Sequence, residues 1–145
     1  MYELDVNQLV LRGGQRVSDA LLIQAARRVW KTLDLNGKVA ISVAFVDEKS
    51  MQRLNKQYRG KNKITDVLSF GADPEDGSGE ILLCYAKAKQ QAAELHHTVR
   101  DEIVFLFVHG LLHLAGFDHE VERDAKRMFP LQAKILKGLG VDSRV

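Results

Sequence analysis

Apolar residues follow two periods along this chain, and the order in which the periods alternate predicts a fold. Tyr2, Leu4 and Val6 alternate with polar neighbours and run on to Leu9–Leu11, which predicts a strand over 2–11 closed by a turn at Gly13-Gly14. Behind Ser18, a capping residue, Leu22, Ala25, Ala26, Val29 and Leu33 recur at helical spacing, with Arg27, Arg28 and Lys31 on the other side and Asn36-Gly37 as the stop. VAISVAFV at 39–46 alternates larger Val39, Ile41, Val43 and Phe45 with small Ala40, Ser42 and Ala44, the pattern of a strand covered on both faces. Asp47 stands where it can cap a second helix carrying Met51 and Leu54, which closes near Tyr58 before Gly60. TDVLSF at 65–70 and EILLC at 80–84 read as an antiparallel pair across the turn-rich GADPEDGSG.

The remainder is helical in pattern. One helix is predicted over 85–97, and a second from Thr98, where Thr98-x-x-Asp101 resembles a capping pattern, to about Ala115. Because that second helix is apolar on nearly every side, it should run through the middle of the molecule. His96 and His97, near the end of the first, read as surface residues favoured by the helix dipole. Ala125, Met128, Ile135 and Leu139 mark a last helix, which Pro130 is expected to kink or restart. Strands first and helices last imply an α+β fold: a single domain over 1–145, with a mixed sheet of about four strands packed with about five helices around the central one.

Composition narrows the class. With 145 residues, 46% of them hydrophobic, the chain is neither disordered nor collagenous and can build its own core, and its single Cys84 excludes an internal disulfide. The N-terminal MYELDVNQLV has no basic start or long apolar run, and the longest apolar stretch, 103–117, falls short of the about 20 residues of a membrane span. The expectation is a cytoplasmic protein with no membrane partner. A net charge of +2 is too mild by itself to indicate a polyanionic partner.

HGLLHLAGFDH at 109–119 carries the chemistry. His109 and His113 lie four apart, so on a helix their Cβ atoms stand about 5–6 Å from one another and the rings can converge on one ion. Gly116 can take the left-handed conformation that ends a helix and reverses the chain, bringing His119 back toward them. A single histidine here would read as a core residue bonded to a carbonyl. Two on one apolar face would each need a partner or cost a few kcal/mol, and a shared cation satisfies both. Zinc, one per chain, suits imidazole ligands and tetrahedral coordination best, with nickel, copper or iron as other imidazole-binding ions. The spacing is that of metzincin proteases, but their Glu general base is replaced by Gly110, so a peptidase would lack its base. Asp118 and Glu120 could orient a ligand or simply charge the next helix turn. Cys84 reads as a small buried residue, a fourth thiolate ligand being the alternative.

RLNKQYRGKNK at 53–63 holds Arg53, Lys56, Arg59, Lys61 and Lys63 with no acid among them, a candidate RNA-binding run. Alone it reads as a solvated helix end. Beside an open metal site lacking a protein base it gains meaning, since phosphodiester hydrolysis needs a nucleophile and a cation to offset phosphoryl charge. Arg59, just before Gly60, is the candidate for the second role.

HGLLHLAGFDHE, together with LNKQYRGKNKITDVLSF at 54–70 and GEILLC at 79–84, resembles the YbeY family of bacterial ribosomal RNA maturation factors, through most of the chain and in the same order. The resemblance implies a single-strand-specific, metal-dependent endoribonuclease with zinc on His109, His113 and His119, and a functional arginine at Arg59. It further implies an α+β fold and cytoplasmic action on precursor ribosomal RNA of the small (16S) subunit, with that subunit as partner. Phe117, Gly71, Glu80 and Cys84 depart from the family's usual Tyr, Pro, Asp and Ser. Two other classes compete: a non-catalytic ribosome-assembly factor whose metal is structural, and a zinc hydrolase or peptidase of another substrate.

Overall fold

The computed structural model describes residues 2–7, 17–34, 39–71, 78–116 and 122–141. Strand β1 (Tyr2–Asn7) leads through helix α1 (Asp19–Leu33) to β2 (Val39–Val46), which is followed by α2 (Glu48–Arg59). Strands β3 (Val67–Phe70) and β4 (Ser78–Cys84) come next, and helices α3 (Tyr85–Leu95), α4 (Val99–Leu114) and α5 (Glu122–Gly138) complete the α+β domain. The sheet is mixed, in the order β1-β2-β4-β3. β1 and β4 each pair parallel to β2, whereas β3 runs antiparallel to β4, with Leu68 opposite Leu82.

Side chains that alternate along a strand point to opposite faces, and here they feed two cores. Ile41, Val43, Phe45, Ile81 and Leu83 pack with α1, α4 and α5 in the main core. Leu68, Leu82 and Cys84 face the other way and bury Met51 of α2, with Ala44 and Val46 beside them. Both faces of β2 are therefore used, as its alternation of large and small residues predicts. Glu102 through Val108 and Gly110 through Leu112 of α4 are all buried, so the helix does run through the interior. No helix among the described residues is long and apolar enough to cross a membrane.

Local rules account for most boundaries. The Asp47 carboxylate accepts the Ser50 N–H at 2.7 Å, a bond that holds its pKa below the ordinary carboxylate value. Thr98 Oγ1 accepts the Asp101 N–H at 3.1 Å, and Gly60, with φ of 70°, closes α2. Four expectations are corrected. Ser18 precedes α1 but makes no side-chain cap; its carbonyl accepts the Leu21 and Leu22 N–H groups instead. Residues 65 and 66 fall outside β3, which begins at Val67; the Asp66 carbonyl still accepts the Cys84 N–H in register with β4, and its carboxylate accepts the Val67 N–H at 2.8 Å. α5 does not restart at Pro130 but runs as one helix from Glu122 to Gly138; the residue is exposed, so the carbonyl that its missing N–H would serve can turn to water. His97 is not a surface residue: its side chain is 7% exposed and Nε2 lies 3.5 Å from the fully buried Glu102 carboxylate. Residues 8–11, Gly13-Gly14 and Asn36-Gly37 lie outside the described residues.

Candidate metal centre

Helix α4 is held rigidly by its burial, and His109 and His113 occupy the stripe where it meets a cavity. Their Nε2 atoms stand 3.1 Å apart, with the rings edge to face. His109 Nδ1 lies 2.9 Å from Oε1 of Gln132, a side chain of α5 that is only 2% exposed. An amide oxygen accepts and does not donate, so Nδ1 carries the proton and Nε2 presents its lone pair toward His113. Phe105, one turn earlier on α4, stacks nearly parallel to the His109 ring at 6.3 Å. Packing and a hydrogen bond thus fix both the plane and the tautomer of this imidazole, the support that metal-bound histidines characteristically have.

Gly110 has a steric reason. A Cβ there would come within 2.9 Å of Ser69 Oγ and 3.3 Å of Ile81, because this side of α4 lies against β3 and β4. A larger residue there would have to displace Ser69 Oγ and press on Ile81, so the packing favours glycine where a zinc protease carries its base. At the other end of the motif, Gly116 has φ of 104° and donates its N–H to the His113 carbonyl, the left-handed turn expected there. Asp118, His119 and Glu120 lie outside the described residues.

The two histidines open into a cavity of about 360 Å³, whose opposite contributions come from the end of α2 and the segment after it. Arg59, Lys61 and Lys63 line it, whereas Arg53 and Lys56 are exposed on α2 outside the lining. The buried Asn55 organises this wall: Nδ2 donates to the Lys63 carbonyl at 2.9 Å, and the Asn55 carbonyl accepts the Lys61 N–H. Asp66 also borders the cavity, but its oxygens are engaged by the Val67 N–H, the Thr65 hydroxyl and the Gln91 amide, so it anchors the segment against α3.

The Cys84 alternative is overturned. Its thiol is buried among Met51, Leu68 and Leu82, on the sheet face turned away from α4, and burial pushes its pKa up. It does not line the cavity and cannot complete a tetrahedron with the histidines. Among the described residues no group of three or more His, Cys, Asp or Glu side chains is placed to hold an ion. The pair itself fits one: two nitrogens sharing a tetrahedral zinc stand about 3.3 Å apart, close to the separation here.

Gln132, Asn55 and Asp66 escaped the sequence reading. For two of them a signal existed, since each puts a polar side chain in an apolar stripe: Asn55 four residues after Met51, and Gln132 four after Met128 and three before Ile135.

Residues 14–140 match the family model described as Endoribonuclease YbeY. Proteins of that name from Ureaplasma parvum (44% identical, 78% of this chain and 76% of theirs) and Macrococcus caseolyticus (42%, 85% and 84%) are similar to it. So is one from a Sulfurihydrogenibium species, 40% identical over 86% of each chain. A solution structure of a Thermotoga maritima protein superposes with a TM-score of 0.65 at 31% identity, covering 94% of this chain and 88% of that one. With a family model matched over nearly its whole length, and relatives above 40% identity over most of it, the chain belongs to the YbeY family.

Proposed function

We propose that this protein is a zinc-dependent endoribonuclease that cuts single-stranded segments of small-subunit (16S) precursor ribosomal RNA in the cytoplasm, with the small ribosomal subunit as its partner. The observation that carries this reading is one cavity bordered both by the paired His109 and His113 and by Arg59, Lys61 and Lys63. Its relatives' name, endoribonuclease, matches what that pairing can do.

His109 and His113, with His119 as the third donor, would hold the zinc. Once bound, the ion would polarise the phosphate and lower the pKa of a water, supplying at neutral pH the nucleophile that Gly110 cannot activate. The remaining work falls to the chain itself. Arg59 offers a planar pair of donors to the phosphoryl oxygens, where negative charge grows in the transition state, and Lys61 and Lys63 add positive charge along the strand. Asn55 keeps that wall in register by tying the Lys63 carbonyl to α2. Gln132 holds the proton on His109 Nδ1, so that Nε2 stays a lone-pair donor.

Elemental analysis of the purified protein and cleavage of a short oligoribonucleotide test the proposal together. One zinc per chain, and cutting of the single strand but not its duplex, are expected; a chelator should stop the reaction and zinc restore it. Metal-free protein that still cuts, or zinc-loaded protein that cuts peptides and not RNA, would overturn it. Product ends then separate water attack, which leaves a 5′-phosphate, from attack by the RNA 2′-hydroxyl, which leaves a cyclic phosphate and a 5′-hydroxyl.

A further inference from the structure

Among the described residues three large hydrophobic side chains are exposed: Tyr58, Leu95 and Phe129. Of these only Phe129 borders the cavity of the histidine pair. It sits on α5 three residues before Gln132, so the two share one side of the helix. Gln132 is itself bonded to His109, and the phenyl ring borders the same cavity as that histidine. Phe105, on the same cavity, shows what a purely structural ring looks like here: it is 8% exposed and stacked on His109, whereas Phe129 is 43% exposed.

We infer that Phe129 is a base-stacking residue, which receives the face of an unpaired nucleobase next to the phosphate held at Arg59, Lys61 and Lys63. The inference rests on the ribonuclease reading above. It is carried by complementarity within a single cavity: a cationic wall suited to phosphate and an exposed aromatic ring suited to a base are the two halves of a nucleotide site. A base within a duplex already has both faces covered by its neighbours and has none to offer. Phe129 therefore contributes to preference for single strands, and fixes the register of the strand relative to the histidines. Because every base has an aromatic face, it does so with little regard to sequence. Its effect belongs to substrate binding, with no part in moving protons or stabilising charge.

The test compares Phe129→Ala, Phe129→Leu and Phe129→Trp with the parent protein, all zinc-loaded, on a short oligoribonucleotide and on a set in which a single abasic position is walked along the strand. Alanine and leucine should each raise KM and the dissociation constant about five- to a hundred-fold, with kcat nearly unchanged, while tryptophan stays near the parent. The parent should show one abasic position that weakens binding, and Phe129→Ala should lose that sensitivity. Unfolding temperature and zinc content should not change, since the ring is exposed. Wild-type affinity in Phe129→Ala, or leucine serving as well as phenylalanine, would overturn the inference, because bulk alone would then suffice. A parent that is dimeric, and monomeric on Phe129→Ala, would overturn it by assigning the ring to a contact between copies. If the parent neither binds nor cuts RNA, the ribonuclease reading falls and this one with it; if the parent cuts and the variants match it, only the stacking role falls.

Discussion

This chain has two close pairs of histidines, and they behave in opposite ways. His96 and His97 are adjacent at the end of α3; His109 and His113 lie four apart on α4. Adjacent positions at a helix end diverge: His96 takes a left-handed backbone with φ of 57° and is exposed, while His97 turns inward to within 3.5 Å of Glu102. Positions four apart bring their Nε2 atoms to 3.1 Å on the wall of a cavity. Helical geometry, and not proximity in sequence, decides which imidazoles can share an ion. Surroundings decide the rest, because one pair borders a roomy, cation-lined cavity and the inward member of the other meets a buried carboxylate.

The largest effect should come from exchanging the pairs' roles. His113→Ala is expected to abolish stoichiometric zinc and RNA cleavage together, while the protein stays folded by circular dichroism. His97→Ala should leave both intact and cost about 1–3 kcal/mol in denaturant unfolding, because it strips a polar contact from a fully buried carboxylate. Zinc loss in the second variant, or its retention in the first, would erase the distinction.

A second contrast, within the basic run, carries the next largest effect. Arg59→Ala should lower kcat about 10²–10³-fold, the usual cost of removing one donor to a developing oxyanion. Lys56→Ala, outside the cavity lining, should change kcat/KM only slightly and chiefly at low salt. Both side chains are exposed, so neither variant should shift the unfolding temperature. Equal effects at the two positions would mean that the run acts as diffuse charge.

These contrasts also show how much could be read before any coordinates. β2 matches its expected span because large and small residues alternate in it; α2 starts at Asp47 and stops at Gly60, and α4 starts at Thr98, all three by local capping chemistry. The α+β layering, the buried α4 and the antiparallel β3–β4 pair follow from the same patterns. Where a tertiary partner decided the outcome, the pattern misled. His97 turns inward because Glu102 lies below it, and β3 begins only at Val67, where the Asp66 carboxylate turns back onto the Val67 N–H and reaches Gln91 of α3. In the site, the convergence of His109 and His113 was legible from spacing. Gln132 and Asn55 were marked only as polar side chains in apolar stripes; what each supports was not legible, because each reaches a partner on a different segment.

Gln132 offers a subtler way to separate the two pairs, since it is what specialises His109. Gln132→Leu keeps the volume but removes the acceptor for Nδ1–H, freeing the ring to change tautomer. Zinc affinity, measured against a competing chelator, should fall about 10–100-fold, with cleavage restored at high zinc. Gln132→Glu preserves an acceptor and should bind zinc at least as tightly as the parent. If leucine binds zinc as well as glutamine does, the hydrogen bond merely fills a buried site.

The smallest effect is expected at Cys84, and it bears on the comparison by asking whether a donor's chemistry counts when its direction is wrong. A thiolate is a better zinc ligand than many, yet this one faces Met51 and Leu68 across the sheet from the histidines, with its pKa raised by burial. Cys84→Ser should retain full zinc stoichiometry and cleavage. Its cost is confined to stability, about 1–3 kcal/mol for placing a hydroxyl in an apolar pocket. In the parent, a thiol reagent should leave Cys84 unmodified until the protein is unfolded, whether or not zinc is present. Zinc-dependent protection of the thiol would instead place the sulfur at the metal, filling the coordination position that RNA cleavage needs open.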